Sequence, residues 1–194
     1  MKAILISIRP QWVAKILNGE KTIEIRRKFS KDYVGWVYIY VTKGKLNLVY
    51  DQDYDDKNQT WKKGKYELVD YGDKYSLNGK VVARFWCDKV DDYVYGHKWS
   101  WKVGAPMWGA DNSYEKILKD ACLTDNELRA YADELSFSAI YITKLEIFNE
   151  PKDISESLVY SHTIDGVNEQ NKPQKYKVLK HLARAPQSWC YIEV

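Results

Sequence analysis

The chain has 194 residues, 45% of them hydrophobic and 29% charged, which suits one globular domain with a real core. Aromatics at 14% exclude a disordered chain. No apolar run reaches the roughly 18 residues that cross a bilayer, and the opening MKAILISIRPQW lacks a small-residue cleavage site, so neither a membrane span nor a signal peptide is expected. The net charge is only +3, yet it is unevenly spread. Residues 1–50 carry 10 Lys and Arg against 3 Asp and Glu, and such an excess points to a polyanionic partner. Cys87, Cys122 and Cys190 are odd in number and widely spaced, with no CxxC, and His97, His162 and His181 lie far apart. Neither a metal site, nor a cofactor, nor a disulfide framework is expected, and a reducing cytoplasm is the default.

Taken in chain order, residues 3–8 are apolar and β-branched and read as a strand. Pro10 suits the first turn of a helix, and Trp12, Val13, Ile16 and Leu17 recur at helical spacing, which predicts a helix over 10–18. Asn18-Gly19 stops it. Residues 22–26 read as a strand with Ile23 and Ile25 on one face and Thr22, Glu24 and Arg26 on the other. Residues 34–42 and 80–87 read as further strands, with Trp36, Tyr38 and Phe85 in the core. Between them, residues 50–78 are polar, rich in Asp, Lys and Tyr, and read as an insertion partly ordered by its aromatics, with a hairpin as one form it could take.

Residues 93–112 mix Tyr, Trp, Gly and Pro without a period and read as a long aromatic loop. Trp99 and Trp101 there are candidate stacking platforms for a nucleobase. Two short helices are expected at 114–121 and from 125 to about 135, the second opened by the capping box Thr124-Asp-Asn-Glu127. Residues 137–148 alternate as one strand, with Phe148 in the core and Pro151 ending it. The polar stretch 152–187 reads as loop-rich, with a helical turn near 154–159 and a short helix at 178–182. Residues 188–194 form a last strand. The expected fold class is α+β: about five or six strands in one curved sheet or barrel, short helices at the rim, one domain over 1–194.

The stretch Gly19-Glu20-Lys21-Thr22-Ile23-Glu24-Ile25-Arg26 carries the chemistry. A carboxylate between two cations has its charged form favoured. Arg26 offers a planar fork for phosphate or carboxylate, and Lys21 a point charge that serves acid–base chemistry once desolvated. The blander interpretation is an ion-pair network that only braces the fold. Arg27, Lys28 and Lys31 extend the basic run, and Arg9 ends the first strand nearby.

This stretch resembles the GxKxxExR signature of the ASCH domain and stands where that family places it, after a first helix and opening a strand. The closing PQSWCYIE is similar to the C-terminus of phage and bacterial ASCH proteins. The resemblance implies a PUA-like β-barrel and work on RNA, single-stranded nucleic acid or a modified nucleoside in a basic cleft at the motif. Lys21, Arg26, Arg27, Lys28 and Arg9 are then the binding residues. Some relatives are nuclease-like, and one branch hydrolyses the acetyl amide of acetylcytidine; an enzyme here would use Lys21 and Glu24. That branch has a threonine three positions after its lysine, where this chain has Glu24, so its activity does not carry over whole. A third reading is a protein-interaction module of a phage or mobile element, with the aromatic loop as its surface.

Overall fold

The computed structural model describes residues 2–52, 54–55, 57–71, 74–95, 100–102, 113–132 and 136–194. In chain order the elements are β1 (Lys2–Ile8), α1 (Pro10–Leu17), β2 (Ile23–Arg26), β3 (Gly35–Val41), β4 (Asn47–Asp51), β5 (Tyr54–Asp55), β6 (Thr60–Trp61), β7 (Lys65–Val69), β8 (Lys80–Cys87), β9 (Val90–Tyr95), β10 (Ser100–Lys102), α2 (Ser113–Asp120), α3 (Asp125–Ala132), β11 (Ser136–Tyr141), β12 (Thr143–Asp153), a 3-10 turn (Ile154–Glu156), β13 (Leu158–Val167), β14 (Pro173–His181) and β15 (Trp189–Glu193). The chain is α+β, mostly sheet with three short α-helices among the described residues.

A seven-stranded sheet runs β12-β8-β3-β1-β15-β13-β14, and a four-stranded sheet runs β10-β9-β11-β2. The six expected strands all occur, but they divide between these sheets. Residues 137–148, read as one strand, are two. β11 pairs with β2, β12 pairs with β8, and the chain changes sheets at Ile142, whose N–H donates to Thr22 O at 2.9 Å. Lys144 takes a left-handed φ of 44° just after this corner. A strand that switches sheets at a bend is how packed sheets share a corner. Pro151 does not end β12; it lies inside it, tolerated because β12 is an edge strand with a register shift between Ile147 and Lys152.

Three apolar clusters hold these layers. One face of the larger sheet (Ile4, Ile6, Ile8, Val37, Ile39, Phe85) packs on Val13, Ile16 and Leu17 of α1. The smaller sheet (Ile23, Ile25, Phe137, Ala139) packs on Ile117 and Ala121 at α2 and Leu128 and Ala132 of α3. Trp36, Tyr38 and Phe148 are partly buried on the opposite face of the larger sheet, around Leu5 and Ile192. The capping box forms: Glu127 Oε2 accepts from Thr124 N at 2.8 Å, and Glu127 N donates to Thr124 Oγ1 at 3.3 Å.

The polar insertion is ordered as β4 against β7 and β5 against β6. Asn18, just past α1, pins it by bonding both Tyr66 O and Tyr66 N at 2.9 Å. Two stretches expected as loop contain strands among their described residues. Within 93–112, β9 and β10 form an antiparallel pair. Within 152–187, β13 and β14 form a long hairpin, so the helix expected at 178–182 is strand up to His181. The hairpin is wet on most of both faces, which erases the alternation by which a strand is read. Its turn is set by Asn168, whose Oδ1 accepts from Gln170 N and Lys172 N, both at 3.0 Å.

Candidate functional site

Helix α1 and strand β2 build the site through one tight corner. Gly19 takes φ +77°, a conformation that suits glycine, and its N–H closes on Ile16 O at 3.0 Å. The Glu20 and Lys21 N–H groups then return to Lys15 O at 2.8 and 3.1 Å. This reversal sets Lys21 under the helix. β2 then alternates as expected, with Ile23 and Ile25 in the apolar cluster of the smaller sheet and Glu24 and Arg26 on the opposite side.

The three charged groups of the motif meet. Glu24 Oε2 lies 3.4 Å from Lys21 Nζ, and its Oε1 lies 3.2 Å from Arg26 Nη2. The Lys21 side chain is 2% exposed, Glu24 5% and Arg26 12%. Lys21 also donates to Ala121 O at 2.8 Å and sits 5.4 Å from the centre of the Trp12 ring. Arg26 Nη2 donates to Ser7 O at 2.6 Å, while its buried Nε has no hydrogen-bond partner among the described residues. Burial pushes the Lys21 ammonium below its ordinary pKa, and the Glu24 carboxylate opposes that shift. Desolvation therefore outweighs the ion pair, which makes the proton of Lys21 easier to release than that of a surface lysine.

These groups line a cleft of about 430 Å³. Arg9 is at its edge, on the exposed extended residue before α1. Trp12 and Tyr131 contribute aromatic walls, and Thr42, Glu127, Gln187 and Ser188 contribute polar ones. Ser7 ties the C-terminal segment to this place: its Oγ donates to Pro186 O at 2.7 Å and its N–H to Ser188 O at 2.8 Å.

Lys21, Glu24, Arg26 and Arg9 thus come together, while Arg27 and Lys28 do not line the cleft. Arg27 turns away, donating from Nε to Tyr131 O at 2.6 Å with its guanidinium 5.7 Å from the Tyr131 ring centre. Lys28 is exposed, and its carbonyl accepts from Trp189 Nε1 at 2.9 Å. Trp99 lies outside the described residues. Trp101 lies on β10, opposite Val94 of β9, rather than in a loop. Trp12, Tyr131 and Gln187 were missed from sequence. Trp12 counted only as an apolar position of the helix, and Tyr131 and Gln187 reach the cleft from more than 100 residues away. Among the described residues, no group of three or more His, Cys, Asp and Glu side chains could hold a metal ion, and no helix is long and apolar enough to cross a membrane.

No protein-family model matches the chain, and no curated protein matches it. Among solved structures, it is similar to an ASCH protein from Zymomonas mobilis, at a TM-score of 0.47 and 13% identity over 78% of this chain and 73% of that one. Two mutants of that protein match at a TM-score of 0.46, with 13% and 12% identity, over 77% and 78% of this chain and 72% and 75% of theirs. ASCH is also the family that the stretch Gly19 to Arg26 resembles.

Proposed function

We propose that the cleft binds a nucleoside-sized group, presented by RNA or another single-stranded nucleic acid or as a free modified nucleoside. The observation that carries this reading is the Glu24 carboxylate held between Lys21 and Arg26 on the floor of a cleft walled by Trp12 and Tyr131. Such a floor offers both donors and an acceptor to the edge of a base, and the aromatic walls offer it a face to stack on. The cleft volume falls within the few hundred Å³ usual for small-molecule sites. In this reading Lys21 and Arg26 orient the base, and Arg9 meets an adjoining phosphate at the rim. Arg27 and Lys28 add only a general attraction for the polyanion.

The test is calorimetric titration of the wild type with the four ribonucleosides, N4-acetylcytidine and a short single-stranded RNA, repeated with Lys21→Met. Binding by the wild type that Lys21→Met abolishes while remaining folded supports the proposal. No binding of any of these ligands at low salt refutes it.

A second reading, a hydrolase acting on a nucleoside amide or a phosphodiester, is favoured by the lowered pKa of Lys21, since a desolvated lysine beside a carboxylate serves as a proton carrier. Product formation from N4-acetylcytidine or an RNA oligomer, lost in Glu24→Gln with binding retained, would establish it.

A further inference from the structure

The floor of the cleft has hydrogen-bonding capacity that the fold does not use. An ammonium group has three N–H bonds, a guanidinium has five, and a carboxylate has about four acceptor sites. Lys21 Nζ donates to Ala121 O and faces Glu24 Oε2, which leaves one N–H without a partner among the described residues. Arg26 Nη2 serves Ser7 O and Glu24 Oε1. Its Nη1 bonds no described residue and, unlike Nε, is not sealed from solvent. Each oxygen of Glu24 meets one cation and keeps a second lone pair. All three side chains line the cleft.

The ion pairs fix the order of these groups. The carboxylate lies between the two cations, one oxygen toward each, so a ligand on the floor meets a donor, an acceptor and a donor. None of the three can exchange its role. Thr42, Gln187 and Ser188 at the walls can each donate or accept, so they impose no pattern. Glu127 is committed to the Thr124 cap. Trp12 and Tyr131 stack on any base, since every base has a π-face. Selection among bases therefore lies with the floor, through what a wrong edge would leave unpaired.

The pairing edges of the four bases answer that pattern differently. Uracil presents a carbonyl, N3–H and a second carbonyl, which complements all three positions. The pattern is symmetric, so the match holds whichever way round the base enters. Cytosine and adenine put an unprotonated ring nitrogen at the centre, lone pair against carboxylate. Guanine puts N1–H at the centre but an amino group at one end, donor against cation.

We propose that the cleft selects the imide edge of uracil, with N3–H donated to Glu24 and the two carbonyl oxygens accepting from Lys21 and Arg26. This inference rests on the function proposed above and names the base it takes. The test is calorimetric titration of the wild-type protein with uridine, pseudouridine, N3-methyluridine, cytidine, adenosine and guanosine, and with short RNA oligomers of uracil, cytosine or adenine alone. Uridine should bind about 5- to 150-fold more tightly than the other three common nucleosides, the discrimination usual for one well-read base edge. Pseudouridine keeps the imide edge and should bind like uridine. N3-methyluridine lacks the central donor and should fall to the level of cytidine. Nuclear magnetic resonance of isotope-labelled uridine supplies a second readout. The bound N3 proton should be protected from exchange with water and lie close to the Glu24 side chain, which is 5% exposed.

Uridine and N3-methyluridine of equal affinity overturn the uracil assignment while leaving the cleft a nucleoside site. So does any other base, or N4-acetylcytidine, bound as tightly as uridine, and so does an N3 proton that exchanges freely in the complex. Binding of no nucleoside and no oligomer refutes the reading of the cleft itself, and the uracil assignment falls with it.

Discussion

Glu24→Gln and Lys21→Met should damage the protein unequally, although they break the same ion pair. Glutamine keeps the shape of Glu24 but leaves Lys21 and Arg26, 3.4 and 3.2 Å away, as buried cations on a neutral amide. Removing one partner of a buried pair costs about 3–5 kcal/mol for this reason. Methionine at position 21 fills a similar volume and leaves Glu24 paired with Arg26. It loses the bond to Ala121 O, but it also relieves the desolvation of an ammonium group, so a net cost of about 1–2 kcal/mol is expected. In a chain of this length each kcal/mol moves the melting temperature by roughly 2–4 °C, so the two variants should be separable by thermal scan. The pH dependence supplies a second handle. The pKa of Lys21 is lowered by burial and raised by Glu24, so without Glu24 it falls further. Between that folded value and the unfolded value near 10.5, the folded state binds fewer protons than the unfolded one, and stability rises with pH. The deficit of Glu24→Gln against wild type should therefore shrink as pH is raised from 7 toward 10. Urea melts followed by tryptophan fluorescence at several pH values measure this directly. A Lys21→Met cost equal to that of Glu24→Gln, or a deficit constant with pH, would refute the reasoning.

Cys87 is fully buried and burial pushes its thiol up to about 11, so a thiol-disulfide probe at pH 8 should leave it unmodified in the native protein and label it on denaturation; mass spectrometry of the labelled peptides decides. Burial raises Tyr33 to about 12 and raises Tyr141 as well, helped by Asp91. These phenols stay protonated in the folded state after the unfolded chain has ionised near 10, so stability should fall as pH rises past about 10. Tyr33→Phe should flatten that fall, and an unchanged profile would remove Tyr33 from the account. Asn18→Ala strips two hydrogen bonds from the Tyr66 backbone and should cost about 1–3 kcal/mol, with faster amide exchange at residues 65–69.

The corner that carries the site was legible because its determinants are local. Gly19 stops a helix whose apolar spacing is plain, and the period of two in Ile23-Glu24-Ile25-Arg26 separates core from cleft without reference to the rest of the chain. The walls were not legible. Ala121 O, Tyr131 and Gln187 are brought to the site by packing of α2 and α3 on the smaller sheet and by pairing of β15 with β1, between residues 100 or more positions from Lys21. The hairpin of β13 and β14 was hidden for a different reason: with solvent on most of both faces, nothing selects an alternating pattern, and its register rests on the Asn168 turn and on backbone pairing.

The basic run 26–28 shows how the two kinds of information combine. Counted as composition it is one patch of three cations. Read with the strand period it divides, because Arg26 continues the inward face of Glu24 while Arg27 turns out toward Tyr131 and Lys28 toward solvent. The division assigns different physics to neighbouring residues. Arg26 is held at 12% exposure by Glu24 and Ser7 O, too enclosed to exchange counterions, so its loss should change which base is bound more than how salt weakens binding. Lys28, exposed, should do the opposite.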